Sequence, residues 1–207
     1  MQKCFHISKR LFSFVVYKSI MARKKEYIEE EVIEKAMNLF WRNGYESTSM
    51  QMLEKEMGIN KFSIYASFGN KNGIFLKSLN CYKLKLNALI DKLKASENGI
   101  EGIKQYFFDF IEFSKETEFG KGCLVTNTAN EIGEDADDKI KEALSVFTNE
   151  VKQVFTNNLK QNKTKDTITI EQQADFLIIS MFGLSSATRL FSNTQLNNYI
   201  ENIFKKL

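Results

Sequence analysis

The chain has 207 residues, is 43% hydrophobic, contains no proline and only ten glycines, and carries a formal net charge of +3 at pH 7. This length allows one large or two small domains with a buried core. The absence of proline and the few glycines favour long, uninterrupted helices over a turn-rich β fold, and the small net charge excludes a uniformly basic nucleic-acid-binding chain. We therefore predict an all-α fold.

Charge is distributed unevenly along the chain. Residues 1–80 carry 13 Lys and Arg against 8 Asp and Glu, whereas residues 81–207 carry 16 against 18. A basic N-terminal part on a mildly acidic remainder is typical of a phosphate-binding domain joined to a domain with another task.

Cysteine and histidine are scarce. Cys4, Cys81 and Cys123 are too scattered for a disulfide framework and lack the paired spacing of a zinc site, and His6 is the single histidine. We expect neither a metal site nor a cofactor nor catalytic residues, and we expect a cytoplasmic protein.

Residues 1–20 differ in character from the rest. Three basic residues precede an apolar run over 11–17, which loosely resembles a signal peptide. The run is too short to span a bilayer and lacks a small-residue cleavage site. We expect an upstream extension, disordered or forming a short extra helix, with Met21 as a natural start and no membrane partner.

The first helix is predicted over residues 26–43. Ile33, Ala36, Met37 and Phe40 repeat at helical spacing, and Gly44 ends the pattern. Trp41 either packs against the following helices or stacks on a base, and packing is the preferred interpretation.

Residues 48–71 indicate a helix, a tight turn and a second helix. Thr48 and Ser49 are residues that cap helix N-termini, and Gly58 stands where a positive φ is needed to turn the chain. Asn60 caps the second helix, in which Ile64 and the residue four positions later face inward. Lys, Ser and Tyr cover the other faces, which is the format of a helix that enters a DNA major groove. Many helical proteins that never bind DNA share the apolar pattern and the glycine turn.

The segment GYESTSMQMLEKEMGINKFSIYASFGNKNGIF, residues 44–75, resembles the DNA-binding signature of TetR-family transcriptional regulators. The matching positions are Gly44, Tyr45, Thr48, Gly58, Ile59, Asn60, Tyr65, Phe68 and Lys71. Phe62 and Ser67 depart from the small residue and the His that many relatives carry, which affects base preference. The resemblance implies DNA contacts by Thr48, Ser49, Lys61, Phe62, Ser63, Tyr65, Ser67 and Lys71, with Thr48 and Lys71 on the DNA backbone.

Residues 71–94 predict one long helix, and residues 99–115 a second helix rich in aromatic residues. In the family that this chain resembles, the first of these is the connector that sets the separation of the DNA-binding units, and the effector pocket lies between such helices. The aromatic side chains either line a cavity or form a dense core, and the sequence leaves both open.

Residues 120–133 are similar to the GC-L-x-x-N-x-A-x-E segment of one TetR-family branch, some members of which sense electrophiles or oxidants. Cys123 would lie at a helix N-terminus, which favours a thiolate. The alternative is a buried, inert thiol. The resemblance implies an effector site containing Tyr106, Phe107, Phe110, Cys123, Asn127 and Phe182.

Three further helices are predicted, over residues 138–162, 170–191 and 194–206. Small residues at 183 and 185–187 allow two helices to approach closely. In the family, the final helix pair forms a four-helix bundle between two subunits. Packing within a monomer would produce a similar pattern.

The chain is thus predicted to have an N-terminal extension (1–20), a helix-turn-helix DNA-binding domain (21–71) and an effector-binding and dimerisation domain (72–207). The resemblance implies a homodimeric regulator that binds double-stranded operator DNA, a repressor released by a small-molecule effector or a thiol-reactive compound. It implies no enzymatic activity. The alternative is a helical small-molecule carrier or enzyme with a vestigial DNA-binding unit.

Overall fold

The computed structural model describes residues 27–116, 122–205 and 207. Over these ranges the chain forms nine helices and no strand, which confirms the all-α prediction. The helices are α1 Glu29–Asn43, α2 Met50–Met57, α3 Lys61–Phe68, α4 Lys71–Lys94, α5 Ile100–Glu116, α6 Leu124–Ala129, α7 Asp138–Leu159, α8 Thr167–Ala187 and α9 Asn193–Phe204. The predicted extension at residues 1–20 and the proposed start at Met21 lie outside the described residues.

Helix bounds follow the capping chemistry of the sequence. Helix α4 has the predicted bounds, whereas α8 begins at Thr167 rather than 170 because the Asp166 side chain accepts a hydrogen bond from the Thr169 N–H. Helix α9 begins after Ser192, which forms a capping box with Gln195. Caps of this kind determine where a helix starts more closely than apolar periodicity does.

Helices α1–α3 form an N-terminal unit, residues 29–68, here called the head. Its core contains Phe40 of α1, Leu53 of α2 and Ile64 of α3, all fully buried. Helix α1 also lies along α4, where the Phe40 and Phe75 rings meet edge to face at 5.3 Å. The head is therefore seated on the N-terminal half of α4.

Helices α4–α9, residues 71–204, form a second unit, here called the body. Helix α7 packs along α8 and against α4, and α5 packs against α4, α7 and α9. Phe107 of α5 lies between Phe155 of α7 and Phe204 of α9, with ring centroids 6.0 and 5.2 Å away. Each aromatic contact of this type adds to the stabilisation from burial.

The outer face of α8 and α9 is apolar and exposed. Ile179 is 71% exposed, and Phe176, Phe191 and Tyr199 are also exposed. A cluster of large apolar side chains in water is unusual for a surface without a partner.

Membrane-spanning helices are not found in the part of the chain that the structure describes: each helix there is too short or too polar to cross a bilayer.

Candidate DNA-binding surface and effector cavity

The helix-turn-helix is built from two side-chain caps and one glycine. Ser49 Oγ accepts a hydrogen bond from the Met52 N–H and so caps α2. Gly58 ends α2 with φ +68°, a conformation that costs glycine little. Asn60 Oδ1 accepts from the Ser63 N–H at 2.9 Å and caps α3. These contacts confirm the predicted helix-turn-helix geometry.

Helix α3 buries Ile64 and Phe68 and exposes Lys61, Phe62, Tyr65 and Ala66. Phe62 is 80% exposed, Tyr65 is exposed, and the Lys61 ammonium lies 5.8 Å from the centroid of the Tyr65 ring. Exposing a phenylalanine forgoes about 2 kcal/mol of burial. A short helix with this outward set matches the shape and chemistry of a major-groove recognition helix.

Two serines of α3 lie partly inside the head. Ser63 is half-buried, and the Ser67 hydroxyl shares a 2.6 Å hydrogen bond with the Tyr27 hydroxyl. A hydroxyl has one donor and two acceptor positions, so Ser67 retains capacity for a further contact.

Thr48, expected at the DNA backbone, lies inside the head. Its side chain is 1% exposed and Oγ1 donates to the Gly44 carbonyl at 2.6 Å. Because the hydroxyl is buried and used within the turn, Thr48 stabilises the entry to α2 and does not offer its side chain to a phosphate.

Lys71 is the first residue of α4 and is half-buried. Its ammonium lies 4.4 Å from the centroid of the Tyr45 ring and donates to the Glu46 carbonyl at 3.2 Å. Burial lowers the pKa of Lys71, while Glu46 and Glu131 act in the opposite direction. The head and α4 together hold this cation in place.

Besides the packing of α1 on α4, Trp41 and Tyr45 connect the head to the body. Trp41 is buried, stacks on Phe113 at 5.6 Å and donates its indole N–H to the Gly122 carbonyl at 3.2 Å. The Tyr45 hydroxyl donates to Asn72 Oδ1 at 2.7 Å. Trp41 therefore packs at the junction, as preferred from the sequence, and is not available to stack on a base.

A small cavity of about 30 Å³ lies inside the body, between α4, α5, α6, α7 and α8. Its lining residues are Leu86, Tyr106, Phe110, Cys123, Val125, Thr126, Phe147, Thr148, Val151, Ile178, Met181, Phe182 and Ser185. Four of the six residues expected at an effector site are among them: Tyr106, Phe110, Cys123 and Phe182.

The other two expected residues do not line this cavity. Phe107 belongs to the core between α7 and α9. Asn127 is buried next to the backbone of Gly122. Phe107 directly follows the lining residue Tyr106, and Asn127 directly follows Thr126. The sequence pattern alone does not show which of two neighbouring residues faces a cavity.

Most residues of the cavity that were not predicted come from α7 and α8. Phe147 and Val151 of α7 and Ile178 of α8 belong to the apolar stripes of helices that the sequence predicts without assigning them to an effector site. Periodicity shows that these side chains face inward, but it does not show where the packing leaves a gap.

Cys123 is the N-cap of α6, as predicted, and its backbone N–H donates to Ser185 Oγ at 2.8 Å. Burial raises the pKa of the Cys123 thiol, and hydrogen bonds from Tyr82 and from the backbone N–H of Thr126 only partly oppose that effect. The expectation that the helix N-terminus favours a thiolate is therefore wrong in its net direction, because desolvation outweighs the helix end.

Two family models match the chain. Residues 32–77 match "Bacterial regulatory proteins, tetR family", and residues 99–204, half of the chain, match "Tetracyclin repressor-like, C-terminal domain". The chain belongs to the TetR family. It is a DNA-binding transcriptional regulator, as its sequence predicts.

Similar proteins extend over most of this TetR-family chain. The HTH-type transcriptional repressor ComR of Escherichia coli (strain K12) is 25% identical over 83% of this chain and 84% of its own length. The uncharacterised HTH-type transcriptional regulator YezE of Bacillus subtilis (strain 168) is 32% identical over 54% of this chain, a match that spans 58% of YezE. The structure of a CifR cysteine mutant complexed with 26-bp operator DNA superposes with a TM-score of 0.80 and 26% identity, covering 88% of this chain and 98% of that one.

Proposed function

We propose that this regulator is a homodimeric repressor that binds operator DNA through α3 and releases it when a small molecule enlarges the cavity in the body. The observation that carries the proposal is the outward face of α3, where Lys61, Phe62 and Tyr65 project from a helix anchored by Ile64. The similarity to the repressor ComR and to operator-bound CifR supports it.

The roles at the DNA follow from side-chain chemistry. Lys61, Ser63 and Tyr65 contact bases or phosphates, and Phe62 meets a thymine methyl group. Ser49 and Lys71, each at the start of a helix, contact the DNA backbone. Ser67 is positioned by Tyr27 for an additional contact.

The partner surface is the exposed apolar face of α8 and α9. A groove of about 380 Å³ runs along it, lined by Gly183, Ala187, Phe191, Gln195, Leu196 and Tyr199. The glycine and alanine leave room for a helix of a second subunit, and the arrangement that results is a four-helix bundle. The two heads then occupy successive major grooves about 34 Å apart.

The effector acts by opening the cavity. Its volume of about 30 Å³ has room for only about two water molecules, whereas small-molecule sites usually measure ~300–1,000 Å³. A ligand must therefore displace the helices that line the cavity, and it shifts the protein only through its different affinity for the two states. The lining favours an aromatic or aliphatic molecule with few polar groups, which Thr126, Thr148 and Ser185 are placed to bind.

A thiol-reactive compound is a second class of effector, because Cys123 is part of the lining. Its raised pKa leaves the thiol protonated at neutral pH, which slows reaction. A reversible apolar ligand is therefore the preferred effector.

The recognition helix is tested with Tyr65→Ala in a mobility-shift assay. The duplex is selected from a random-sequence pool with the wild-type protein, and helicity is checked by circular dichroism. We expect at least tenfold weaker binding, because Tyr65 projects from the groove-facing side of α3, with unchanged helicity. Normal binding by the variant would remove α3 from the mechanism.

A further inference from the structure

Glu131 is the final residue of the GC-L-x-x-N-x-A-x-E segment. It follows α6 in the body, yet its side chain reaches the turn between α1 and α2 in the head. The backbone N–H of Glu46 donates to Glu131 Oε2 at 3.1 Å. The two residues are 85 positions apart in the chain.

Gly44 has no side chain, and this leaves space for the Glu131 carboxylate. It ends α1 with φ +89°, and a Cβ built on it would lie 2.2 Å from Glu131 Oε1. That distance is far below any real contact between a Cβ and an oxygen. Glycine at this position therefore allows both the sharp end of α1 and the close approach of Glu131.

Glu46 is held at both of its backbone polar groups. Its N–H donates to Glu131 of the body, and its carbonyl accepts from the Lys71 ammonium at the start of α4. Glu131 also interacts electrostatically with Lys71. The turn that is fixed in this way leads within three residues to Ser49, the N-cap of α2.

We propose that Glu131 is a positioning residue for DNA binding: its carboxylate fixes the turn at Gly44–Glu46 and thereby the orientation of the head on the body. The inference rests on the proposed operator binding. Glu131 lies in the same short segment as α6, whose N-terminal residues Cys123, Val125 and Thr126 line the cavity. The segment that borders the effector cavity at one end thus contacts the head at the other.

The direction of the effect separates positioning from simple electrostatics. Glu131 is exposed and lies near Lys71, which is placed to bind a phosphate. A carboxylate in that location repels DNA, so loss of its charge alone would strengthen binding. If Glu131 instead positions the head, loss of its contact with Glu46 weakens DNA binding.

Two substitutions separate the effect of the carboxylate charge from the effect of side-chain length. Glu131→Asp keeps the charge but shortens the side chain by one methylene, so the carboxylate no longer reaches the Glu46 N–H. Glu131→Gln loses the charge but keeps an oxygen at the same distance. Glu142→Asp, at an exposed position of α7, is the matched control. Dissociation constants are measured at one ionic strength on the duplex selected by the wild-type protein.

We expect Glu131→Asp to weaken specific binding about five- to tenfold, the effect of losing one charge-assisted hydrogen bond. Glu131→Gln should remain within about twofold of the wild type, because a neutral hydrogen bond replaces a charged one while repulsion falls. Glu142→Asp should leave binding unchanged. Melting temperatures should be similar in all variants, since an exposed carboxylate adds little to stability.

Two results would overturn the inference: wild-type affinity in Glu131→Asp, or a larger loss in Glu131→Gln than in Glu131→Asp. Failure of the wild-type protein to select any specific duplex would instead overturn the proposed function. Acrylamide quenching of Trp41, the single tryptophan of the chain, gives an independent readout at the head–body junction. Quenching should increase in Glu131→Asp and not in Glu131→Gln, and equal quenching in both would also count against the inference.

Discussion

Two aromatic side chains of the head, Phe62 and Tyr65, are exposed although their burial would stabilise the fold. Phe62 leaves almost its whole ring in water, and Tyr65 is also exposed, while Ile64 between them is fully buried. Burial of the two rings would favour folding, so their exposure indicates a surface kept for contact with a partner. Exposed and buried side chains thus alternate within one turn of α3, and the exposed ones form the proposed operator contact.

The chemistry of single residues was only partly predictable from sequence. The caps at Ser49 and Asn60 and the positive φ at Gly58 followed from residue type, because each depends on local backbone geometry. The buried hydroxyl of Thr48 and the raised pKa of Cys123 depend on packing from distant segments. Sequence patterns carry no information about such burial.

At the residue scale, the state of Cys123 gives a prediction about pH. Its pKa is raised by burial, so the thiol stays protonated in the folded protein to a higher pH than in the unfolded chain. Because the folded protein disfavours the thiolate, the free energy of unfolding is highest below the unfolded pKa. It falls as pH rises through the folded pKa. We expect iodoacetamide to label Cys123 slowly at pH 7 in the folded protein, and faster as pH rises, as measured by peptide mass spectrometry.

The matched reference for this labelling is the same peptide in the urea-unfolded protein. Labelling of Cys123 at pH 7 as rapid in the folded as in the unfolded protein would contradict the buried, protonated thiol, and would favour a thiol-reactive effector.

Among the helices, α8 and α9 carry the exposed apolar surface that we propose as the dimer interface. The apolar side chains of Ile179, Phe176 and Tyr199 face outward, and Gly183 lies against the Tyr199 hydroxyl. The long, strongly periodic helices were predictable to within four residues at their ends, because amphipathic spacing and caps are local signals. Whether an apolar face packs inside one chain or between two is not a local property.

Substitution of Ile179 by Asp tests that helix face. Ile179 is 71% exposed and Leu84 on α4 is 70% exposed, so Leu84→Asp is a control of equal exposure. We expect Ile179→Asp to yield monomers, because a charge in an apolar interface is costly to desolvate, and to bind the selected duplex at least tenfold more weakly. Leu84→Asp should remain dimeric by sedimentation velocity. Dimers of Ile179→Asp with normal affinity would move the interface elsewhere.

For the whole molecule, the central feature is the contact between the head and the body. The head lies on α4, and Trp41, Tyr45 and Glu46 connect it to segments that border the cavity. Because the cavity measures only about 30 Å³, we propose that a ligand entering it displaces these segments and, through them, the head. The sequence predicted both units, but two of the contacts between them, Trp41–Gly122 and Glu46–Glu131, join residues more than 80 positions apart and needed the structure.

Sequence-specific DNA binding by the head can be tested by a salt titration of wild-type binding. Fluorescence anisotropy compares the duplex selected from a random pool with a scrambled duplex of equal length. We expect the selected duplex to bind at least about 10³-fold more tightly at physiological salt, and the logarithm of its affinity to fall linearly with the logarithm of salt concentration. Equal affinity for the two duplexes, or binding that salt does not weaken, would contradict the account and favour a small-molecule carrier.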